Sequence, residues 1–284
     1  GLVVDRFDDV VVVQISTAGM EQMKDAIIRA VQRLSHARII VLKNDGKMRK
    51  VEGLDTYVEF AHGPEADTVL VEENGARFEV PLAGGQKTGW FYDHRMNRQR
   101  LQAYAPGKKV LDVFSYVGGW GIQAACAGAS QVTCVDASSA AVDAVHHNAK
   151  LNGLENVDTI EGDAFDALKA LADEKEKFDI VVLDPPALIP RRRDQKAGEQ
   201  AYARLNQLGL RLLERDGLLV SASCSMHLSQ EKLIDIIRSS GRKIDRFVQL
   251  LEQGHQAPDH PIVPGIPETD YIKSCFVRSL TGFL

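Results

Sequence analysis

The sequence lacks several features that would assign the protein to a specialised class. Its four cysteines, Cys126, Cys134, Cys224 and Cys275, are far apart and form no C-x-x-C pair, which argues against a zinc site or a disulfide scaffold. No apolar run approaches the roughly 18 residues of a membrane span. The first residues have neither the basic nor the apolar segment of a signal peptide. We therefore expect a reducing, cytoplasmic compartment, with no metal and no membrane partner.

Two nucleotide-binding signatures are also missing. The absence of G-x-G-x-x-G argues against a dinucleotide cofactor, and the absence of G-x-x-x-x-G-K-[ST] excludes a P-loop. A formal net charge of −5 argues against a nucleic-acid partner unless the bases are clustered. With 284 residues, of which 44% are hydrophobic and 26% charged, the chain has the composition of one large globular domain or two smaller ones.

Residues 1–83 have the pattern of a small α+β domain. β-Branched runs at 2–7 and 10–15 predict two strands, and apolar side chains at helical spacing predict a helix over 20–35. Asn74-Gly75 lies between two extended runs, which is a strong hairpin signal. The glycine-containing stretch that follows this domain predicts a linker.

Residues 106–284 have a different rhythm, in which short apolar strands alternate with helices. This alternation predicts a Rossmann-like, doubly wound α/β domain with a parallel sheet covered on both faces. The last two strands, near 244–251 and 271–277, are joined by a proline-rich loop that is too short for a crossover helix. We therefore expect them to form an antiparallel pair.

Polar side chains follow the strands of this predicted sheet. In such sheets ligands bind outside the carboxyl ends of the strands. A glycine turn after the first strand would let the backbone approach a ligand, and an acid after the second could bind ribose hydroxyls. A cofactor with a ribose and an adenine but no pyrophosphate, such as S-adenosylmethionine, fits this pattern. The residues expected along this edge are Asp112, Asp136, Asp163, Asp184 and Cys224.

Each of these residues also has a purely structural interpretation. Asp136 and Asp163 could cap the helices that follow them, which is worth about 1 kcal/mol. The two prolines after Asp184 could simply end the strand. A cysteine is usually a small buried hydrophobe, and we prefer that interpretation for the other three. For Cys224, which follows a strand at the site, a nucleophilic and a structural role stay open.

The bases are concentrated in two segments beside the predicted site. The segment from Lys87 to Lys109 contains six bases and one acid, and Arg191–Arg193 follow the Asp184-Pro-Pro turn, whereas acids dominate residues 52–79. Charge runs are usually solvated faces, but the aromatic residues at 90–92 could stack on RNA bases. The net acidity therefore does not exclude an RNA partner. The candidate RNA-binding residues are Arg98, Arg191, Arg192 and Arg193.

Several segments together resemble the family of bacterial large-subunit ribosomal RNA 5-methylcytosine methyltransferase I. They are GQKTGWFYDHRMNR, LDVFSYVGGWGIQAACAGASQVTCVDAS, DPP, SASCS and DHPIVPGIPETDYIK. The resemblance covers nearly the whole chain. It implies an S-adenosylmethionine-dependent methyltransferase domain at 106–284, preceded by the small central domain of the family at 1–83 and a linker at 84–105 that covers the cofactor. It also implies that an RNA-binding PUA domain would precede this sequence.

The resemblance implies a role for each residue at the predicted edge. Cys224 would be the nucleophile that adds to carbon 6 of cytosine, and Asp184 would support the proton at ring nitrogen 3. The partner would be ribosomal RNA, and a homodimer is left open. The implied cofactor-binding residues are Thr88, Phe91, Asp93 and Arg95 over the cofactor; Phe114, Ser115, Tyr116 and Gly118 around its methionine moiety; Asp136 and Ser138 at the ribose; Asp163 and Ala164 at the adenine; and, in the same site, Asp112 and Pro185.

One departure from related enzymes leaves alternatives open. The residue after the two prolines is Ala187, where two-cysteine RNA methyltransferases have a second thiol, so the base that removes the carbon 5 hydrogen is unassigned. The missing aromatic residue there also argues against methylation of an exocyclic amine. The competing hypotheses are a base-nitrogen methyltransferase without a covalent intermediate, a non-catalytic RNA-binding or assembly module, and, more remotely, an NAD-dependent enzyme.

Overall fold

The computed structural model describes residues 1–82, 84–85 and 88–281. They form two compact units. The first contains Gly1–Glu72 and Arg77–Phe91, and the second contains Glu73–Ala76 and the chain from Tyr92 onward. The segment predicted as a linker at 84–105 is therefore divided between the two units, while Ala83 and Lys87 lie outside the described residues.

The first unit is built on a four-stranded sheet. Its strands are β1 (Leu2–Phe7), β2 (Val10–Ile15), β3 (Ile39–Asn44) and β4 (Tyr57–His62), in the order β1-β2-β3-β4. β2 and β3 are parallel and the two outer pairs are antiparallel. Two further strands, β5 (Thr68–Glu73) and β6 (Ala76–Pro81), form a separate two-stranded sheet. They flank Asn74-Gly75, as predicted, and both of these turn residues have a positive φ.

Three helices lie in the described residues of the first unit. They are α1 (Ala18–Gln22), α2 (Lys24–Ser35) and α3 (Met48–Val51). The single helix predicted over 20–35 is divided at Met23, whose ψ of 7° is not helical. α2 packs Ile27 against a core formed by the inner side chains of β2 and β3. Neither α3 nor β4 was predicted.

The second unit is a doubly wound α/β domain, as predicted. Its strands are β7 (Lys109–Val113), β8 (Gln131–Asp136), β9 (Val157–Glu161), β10 (Phe178–Leu183), β11 (Leu213–Ser223), β12 (Arg246–Gly254) and β13 (Lys273–Thr281). Its helices are α4 (Arg95–Tyr104), α5 (Gly119–Cys126), α6 (Ser139–Leu151), α7 (Ala164–Asp173), α8 (Gln195–Leu212) and α9 (Gln230–Arg242). The strand order is β12-β13-β11-β10-β7-β8-β9.

The direction of the strands determines which residues meet at the sheet edge. β7 to β11 are parallel, so their carboxyl ends lie on one side. β13 is antiparallel to both β11 and β12, which confirms the predicted final pair. Because β13 runs the other way, its first residue, Lys273, lies opposite Ser223, the last residue of β11. The start of the last long strand is thereby brought to the edge where the parallel strands end.

No helix in the described ranges is long and apolar enough to cross a membrane. Over the same residues, no group of three or more His, Cys, Asp or Glu side chains is arranged to hold a metal ion.

Candidate active site

The loop that connects β7 to α5 has an unusual backbone. Phe114 and Tyr116 both have a positive φ, of 67° and 50°, and Gly118 has a φ of 88°. Two such non-glycine residues in one turn are uncommon and are stable only where the surroundings fix them. Here the backbone amides of Phe114 and Ser115 both donate to the carbonyl of Val135 in β8. The loop is therefore held against the end of the neighbouring strand.

Asp112 is completely buried beneath this loop. Its Oδ2 accepts a hydrogen bond of 2.8 Å from the amide of Gly121. Burial, together with the charges of Asp184 and Asp136, raises the pKa of Asp112 to about 7. Its Oδ1 and the Oγ of Ser115 are both buried and have no hydrogen-bond partner among the described residues. Buried polar atoms usually have a hydrogen-bond partner, so these two oxygens can take one from a bound ligand.

Asp136, at the end of β8, joins two loops of the edge. Its Oδ2 accepts from the amide of Tyr116 at 2.9 Å, and its Oδ1 accepts from the amide of Ser138 at 3.0 Å. The helix cap at α6 is provided by Ser138, whose Oγ accepts from the amide of Ala141. Asp136 itself is only partly buried. A carboxylate is therefore held in a fixed orientation with access to solvent.

Asp163 occupies the N-cap of α7. Its Oδ1 accepts from the amides of Phe165 and Asp166 at 2.9 and 3.3 Å. This is the capping role that was one of its two interpretations. The side chain is exposed and Ala164 beside it is buried. The adenine contact implied for both residues stays a prediction.

Asp184 follows β10 and is contacted by two side chains that were not predicted. Its Oδ2 accepts from Trp120 Nε1 at 2.9 Å, and its Oδ1 lies 3.4 Å from His94 Nε2, which is long for a hydrogen bond. The Asn97 amide nitrogen lies 3.2 Å from His94 Nδ1. An amide nitrogen only donates, so Nδ1 accepts and the imidazole proton belongs on Nε2, facing Asp184. Pro185 beside Asp184 is buried.

Cys224 lies just beyond β11, between two serines that are firmly bonded. The hydroxyl of buried Tyr202 lies 2.8 Å from Ser223 Oγ and 3.0 Å from Ser225 Oγ. Ser225 Oγ also accepts from the amide of Ile189 at 3.2 Å. These bonds fix the backbone on both sides of the thiol, which is itself partly exposed.

The other cysteines are of two kinds. Cys134 and Cys275 are buried, as predicted, and burial raises the pKa of both thiols. The prediction that Cys126 is a core residue was wrong, because it ends α5 with its side chain exposed. An alanine-rich helical sequence does not show which face its last turn presents.

Lys273 is a further residue of the edge that was not predicted. Its side chain is buried, and its Nζ donates to the carbonyl of Ser225 at 2.7 Å. Burial lowers the pKa of Lys273, against the opposing influence of Asp270 and Cys224. No sequence pattern indicates this placement, because a lysine at the start of a strand is usually solvated.

Four residues were predicted to lie over the cofactor. Thr88 and Phe91 belong to the first unit, where the hydroxyl of Thr88 donates to Asp5 at 2.6 Å. Asp93 and Arg95 belong to the second. Asp93 is buried and accepts from the hydroxyl of Tyr271, while Arg95 forms an ion pair with Asp259 at 2.9 Å. Contact of these residues with a cofactor stays a prediction.

The prediction that Arg98 binds RNA does not agree with its position. Arg98 is buried, and its guanidinium donates to both carboxylate oxygens of Glu73, at 2.6 and 3.0 Å. Gln123 donates to the same carboxylate. The guanidinium of Arg98 is therefore bound to Glu73 within the second unit. In contrast, Arg191–Arg193 are exposed, although Arg191 and Arg193 both lie near Asp194.

The fold and the site define the class of the protein. A doubly wound sheet with a strained loop after its first strand and an acid after its second is typical of enzymes that bind an adenosine-containing cofactor. Residues 2–267 match the family described as S-adenosylmethionine-dependent methyltransferase, and the chain belongs to this family. S-adenosylmethionine is accordingly its cofactor.

The chain is similar in sequence and in structure to individual proteins. Ribosomal RNA large subunit methyltransferase I of Aeromonas salmonicida is 37% identical over 282 residues, which are 98% of this chain and 71% of the relative. The protein SMU.776, solved in complex with SAH, superimposes with a TM-score of 0.84 at 24% identity, over 98% of this chain and 71% of that one. A tRNA m1G37 methyltransferase of M. jannaschii superimposes with a TM-score of 0.66 at 19% identity, over 98% of this chain and 75% of that one. The two structural likenesses concern the fold alone.

The residues at the edge fit S-adenosylmethionine. The cofactor carries two positive charges, on its sulfonium and its ammonium, and the edge has three carboxylates near one another in Asp112, Asp136 and Asp184. The unbonded atoms Asp112 Oδ1 and Ser115 Oγ can accept hydrogen bonds from a ligand. Burial, and to a smaller extent the charges of Asp184 and Asp136, raise the pKa of Asp112, and a cation there would favour its ionised form.

Proposed function

We propose that this protein transfers a methyl group to carbon 5 of a cytosine in large-subunit ribosomal RNA, through a covalent bond to Cys224. One observation carries the proposal: a partly exposed thiol and a carboxylate follow adjacent parallel strands. Leu183 of β10 is in register with Ser221 of β11, so Asp184 and Cys224 both emerge at the same sheet edge. The ribosomal substrate is proposed from the names of relatives such as the A. salmonicida enzyme.

We infer that the cofactor is held by the β7–β8 half of the edge. Asp112 and Ser115 would bind its charged methionine end, because their unbonded oxygens are buried there. Asp136 would accept from the ribose hydroxyls, since its carboxylate is oriented by two backbone amides and remains accessible. The pocket wall would be formed by Phe114, Tyr116 and Gly118. The adenine would be lined by Asp163 and Ala164, and the substrate side by Pro185.

The chemistry requires a nucleophile because carbon 5 of an intact cytosine ring reacts poorly with electrophiles. The Cys224 thiolate adds to carbon 6, forming a sulfur–carbon bond and turning the ring into an enamine whose carbon 5 is nucleophilic. The bound cofactor supplies an electrophilic methyl group on its sulfonium. After transfer, a base removes the hydrogen from carbon 5, the double bond re-forms and the sulfur–carbon bond breaks. The thiolate is thereby regenerated.

Asp184 would act on ring nitrogen 3 of the cytosine rather than on carbon 5. Addition of the thiolate places electron density on ring nitrogen 3, which takes a proton from solvent. The Asp184 carboxylate accepts the hydrogen bond from this N–H, and the proton returns to solvent when the thiolate leaves. Trp120 and His94 approach the two carboxylate oxygens from the protein side, at 2.9 and 3.4 Å. The Trp120 hydrogen bond orients the carboxylate, which remains partly exposed.

Contacts to the RNA backbone are proposed for the loop after Pro185. Arg191, Arg192 and Arg193 are exposed there, and an exposed guanidinium can bind a phosphate with two parallel hydrogen bonds. Asp194 beside them would limit the net charge of the loop. Mutation of these residues should weaken binding and reduce its dependence on salt.

A covalent trap tests the proposal. RNA containing 5-fluorocytidine should form a stable adduct with the protein and cofactor, because fluorine at carbon 5 cannot be removed as a proton. The adduct, measured as a band resistant to denaturation, should form with the parent protein and be absent from Cys224→Ala. Cys126→Ala is the matched control, since Cys126 is the other accessible thiol. An equal yield of adduct from Cys224→Ala would overturn the assignment.

Methylation of a base nitrogen is the second candidate. The fold does not distinguish the two, since a structure with this fold is a tRNA m1G37 methyltransferase. In that chemistry Asp184 would polarise the nitrogen and no thiol would be needed. Full turnover by Cys224→Ala with a nitrogen-methylated product, identified by mass spectrometry of nucleosides, would favour it over the first.

A further inference from the structure

Lys273 occupies an unusual place for a lysine. It is the first residue of β13, pairs in register with Ser223 and has only 6% of its surface exposed. Its Nζ donates to the carbonyl of Ser225, so its position is tied to the turn that carries Cys224. Burying an ammonium is costly unless hydrogen bonds and an opposite charge compensate it. The residue therefore needs a reason for its location.

Within the described ranges, one carbonyl and two charged or titratable groups act on the ammonium of Lys273. An ammonium has three donors, and one of them is used by the Ser225 carbonyl. The charged or titratable groups that act on Lys273 are Asp270, from the loop before β13, and Cys224, from the turn after β11. From α8, the buried hydroxyl of Tyr202 is bonded to the two serines that flank Cys224.

We propose that Lys273 is a positioning residue that holds Cys224 as a thiolate and fixes the turn that presents it. The proposal rests on the proposed function, in which Cys224 is the nucleophile. The thiol proton leaves to solvent, the ammonium keeps its own protons, and the two side chains then form an ion pair across the β11–β13 edge. The backbone around the thiol is held by the hydroxyls of Tyr202, Ser223 and Ser225. The charge of Lys273 acts on the sulfur itself.

The rate at which iodoacetamide alkylates Cys224 as a function of pH tests this inference. The parent should be a Cys126→Ala protein, because Cys134 and Cys275 are buried and Cys224 is then the accessible thiol. An opposite charge at close range shifts a pKa by about 1–3 units. Lys273→Met should therefore raise the midpoint of the alkylation profile by at least about one pH unit, and lower the rate at pH 7 about tenfold. At high pH the rates should converge.

Two further variants separate charge from structure. Lys273→Gln removes the charge but keeps a donor for the Ser225 carbonyl, so it should shift the midpoint as Lys273→Met does. Lys43→Met is the matched control: Lys43 is also a buried strand lysine that donates to a backbone carbonyl, that of Gly85, but it belongs to the first unit. This control should leave the profile unchanged. Calorimetric binding of S-adenosylmethionine checks that each variant is folded.

The inference is overturned if Lys273→Gln keeps the midpoint of the parent protein. That result would assign the lysine a structural role only, through its hydrogen bond to Ser225. Failure of the proposed function would be seen in a different measurement. Cys224→Ala would then methylate RNA fully, and this result does not depend on the alkylation profile. An inactive Cys224→Ala protein together with an unshifted Lys273→Gln profile would reject the role of Lys273 alone.

Discussion

At the β7 end of the sheet edge, Asp112 Oδ1 and Ser115 Oγ are buried without partners among the described residues, whereas at the β11 end the hydroxyls of Ser223 and Ser225 are both bonded to Tyr202. A cofactor enters and leaves in every catalytic cycle, so its half of the site must keep unused hydrogen-bonding capacity. A nucleophile stays in place, and catalysis gains when its surroundings are fixed beforehand. Under the proposed function, the first half would bind the cofactor and the second would carry the nucleophile.

Removal of the thiol should have the largest effect and should separate the two halves most clearly. We expect Cys224→Ala to lower the rate of methyl transfer at least about a thousandfold, as loss of a nucleophile usually does. Its affinity for S-adenosylmethionine should stay within about twofold of the parent, because no cofactor-binding residue is changed. Transfer of a labelled methyl group and calorimetry measure the two quantities. A large loss of cofactor affinity would show that the halves are coupled.

Gly121→Ala should damage the binding half instead. A Cβ at Gly121 would lie 2.6 Å from Cys134 Sγ, 3.0 Å from a Val132 methyl and 3.2 Å from Asp112 Oδ2. Overpacking of this kind costs about 1–3 kcal/mol of unfolding free energy, which exceeds the gain in helix propensity. Cofactor affinity should also fall, because the amide of Gly121 binds Asp112.

Chemical denaturation and calorimetry measure the effects of Gly121→Ala. Gly162→Ala is the matched control, since a Cβ at that position meets no heavy atom within 4 Å. Adding Cys134→Ala to Gly121→Ala should restore part of the stability by removing the nearest contact. Unchanged stability and affinity in Gly121→Ala would contradict the view that this half is tightly packed around Asp112.

The ionisation of Asp112 should make cofactor binding depend on pH. Its pKa of about 7 is raised by burial and by neighbouring carboxylates, so the apo protein holds it largely neutral below pH 7. A cationic ligand favours the carboxylate, so affinity should rise as the pH increases from 6 to 8, by up to about tenfold. Asp112→Asn should bind the cofactor without this pH-dependent contribution. Comparing the pH profiles of affinity of the two proteins removes the part that comes from titration of the cofactor itself.

The same carboxyl group should affect stability in the opposite direction. Because its folded-state pKa is raised, the stability that Asp112 contributes to the apo protein is fully present below about pH 4 and is lost as the pH rises through about 7. The melting temperature of apo Asp112→Asn should therefore fall less over this range than that of the parent. Identical pH profiles of both affinity and melting temperature would contradict the assignment.

The sequence predicted the binding half of the edge better than the chemical half. Strand periodicity and the position of each acid located Asp112 and Asp136 in the first half and Asp184 in the second, since parallel strands bring consecutive carboxyl ends to one side. Lys273 was missed because it reaches the edge only through the reversed direction of β13. The error at Arg98 has a similar cause: its partner, Glu73, is 25 residues away, and counting charges does not show which bases are buried.

Tyr202→Phe should have the smallest effect and is the sharpest test of preorganisation around Cys224. The change removes a hydroxyl that lies 2.8 Å from Ser223 Oγ and 3.0 Å from Ser225 Oγ, and leaves the ring in its buried position. Loss of this buried bonding should cost about 1–3 kcal/mol of unfolding free energy. If the serines hold the thiol in its reactive orientation, methyl transfer should also slow, by several-fold, at saturating cofactor and unchanged cofactor affinity.

Tyr104→Phe is the matched control, because its hydroxyl binds Glu252 of β12 rather than the Cys224 turn. A Tyr202→Phe protein that loses stability but methylates RNA at the parent rate would show that the hydroxyl network supports the fold without contributing to the position of the nucleophile.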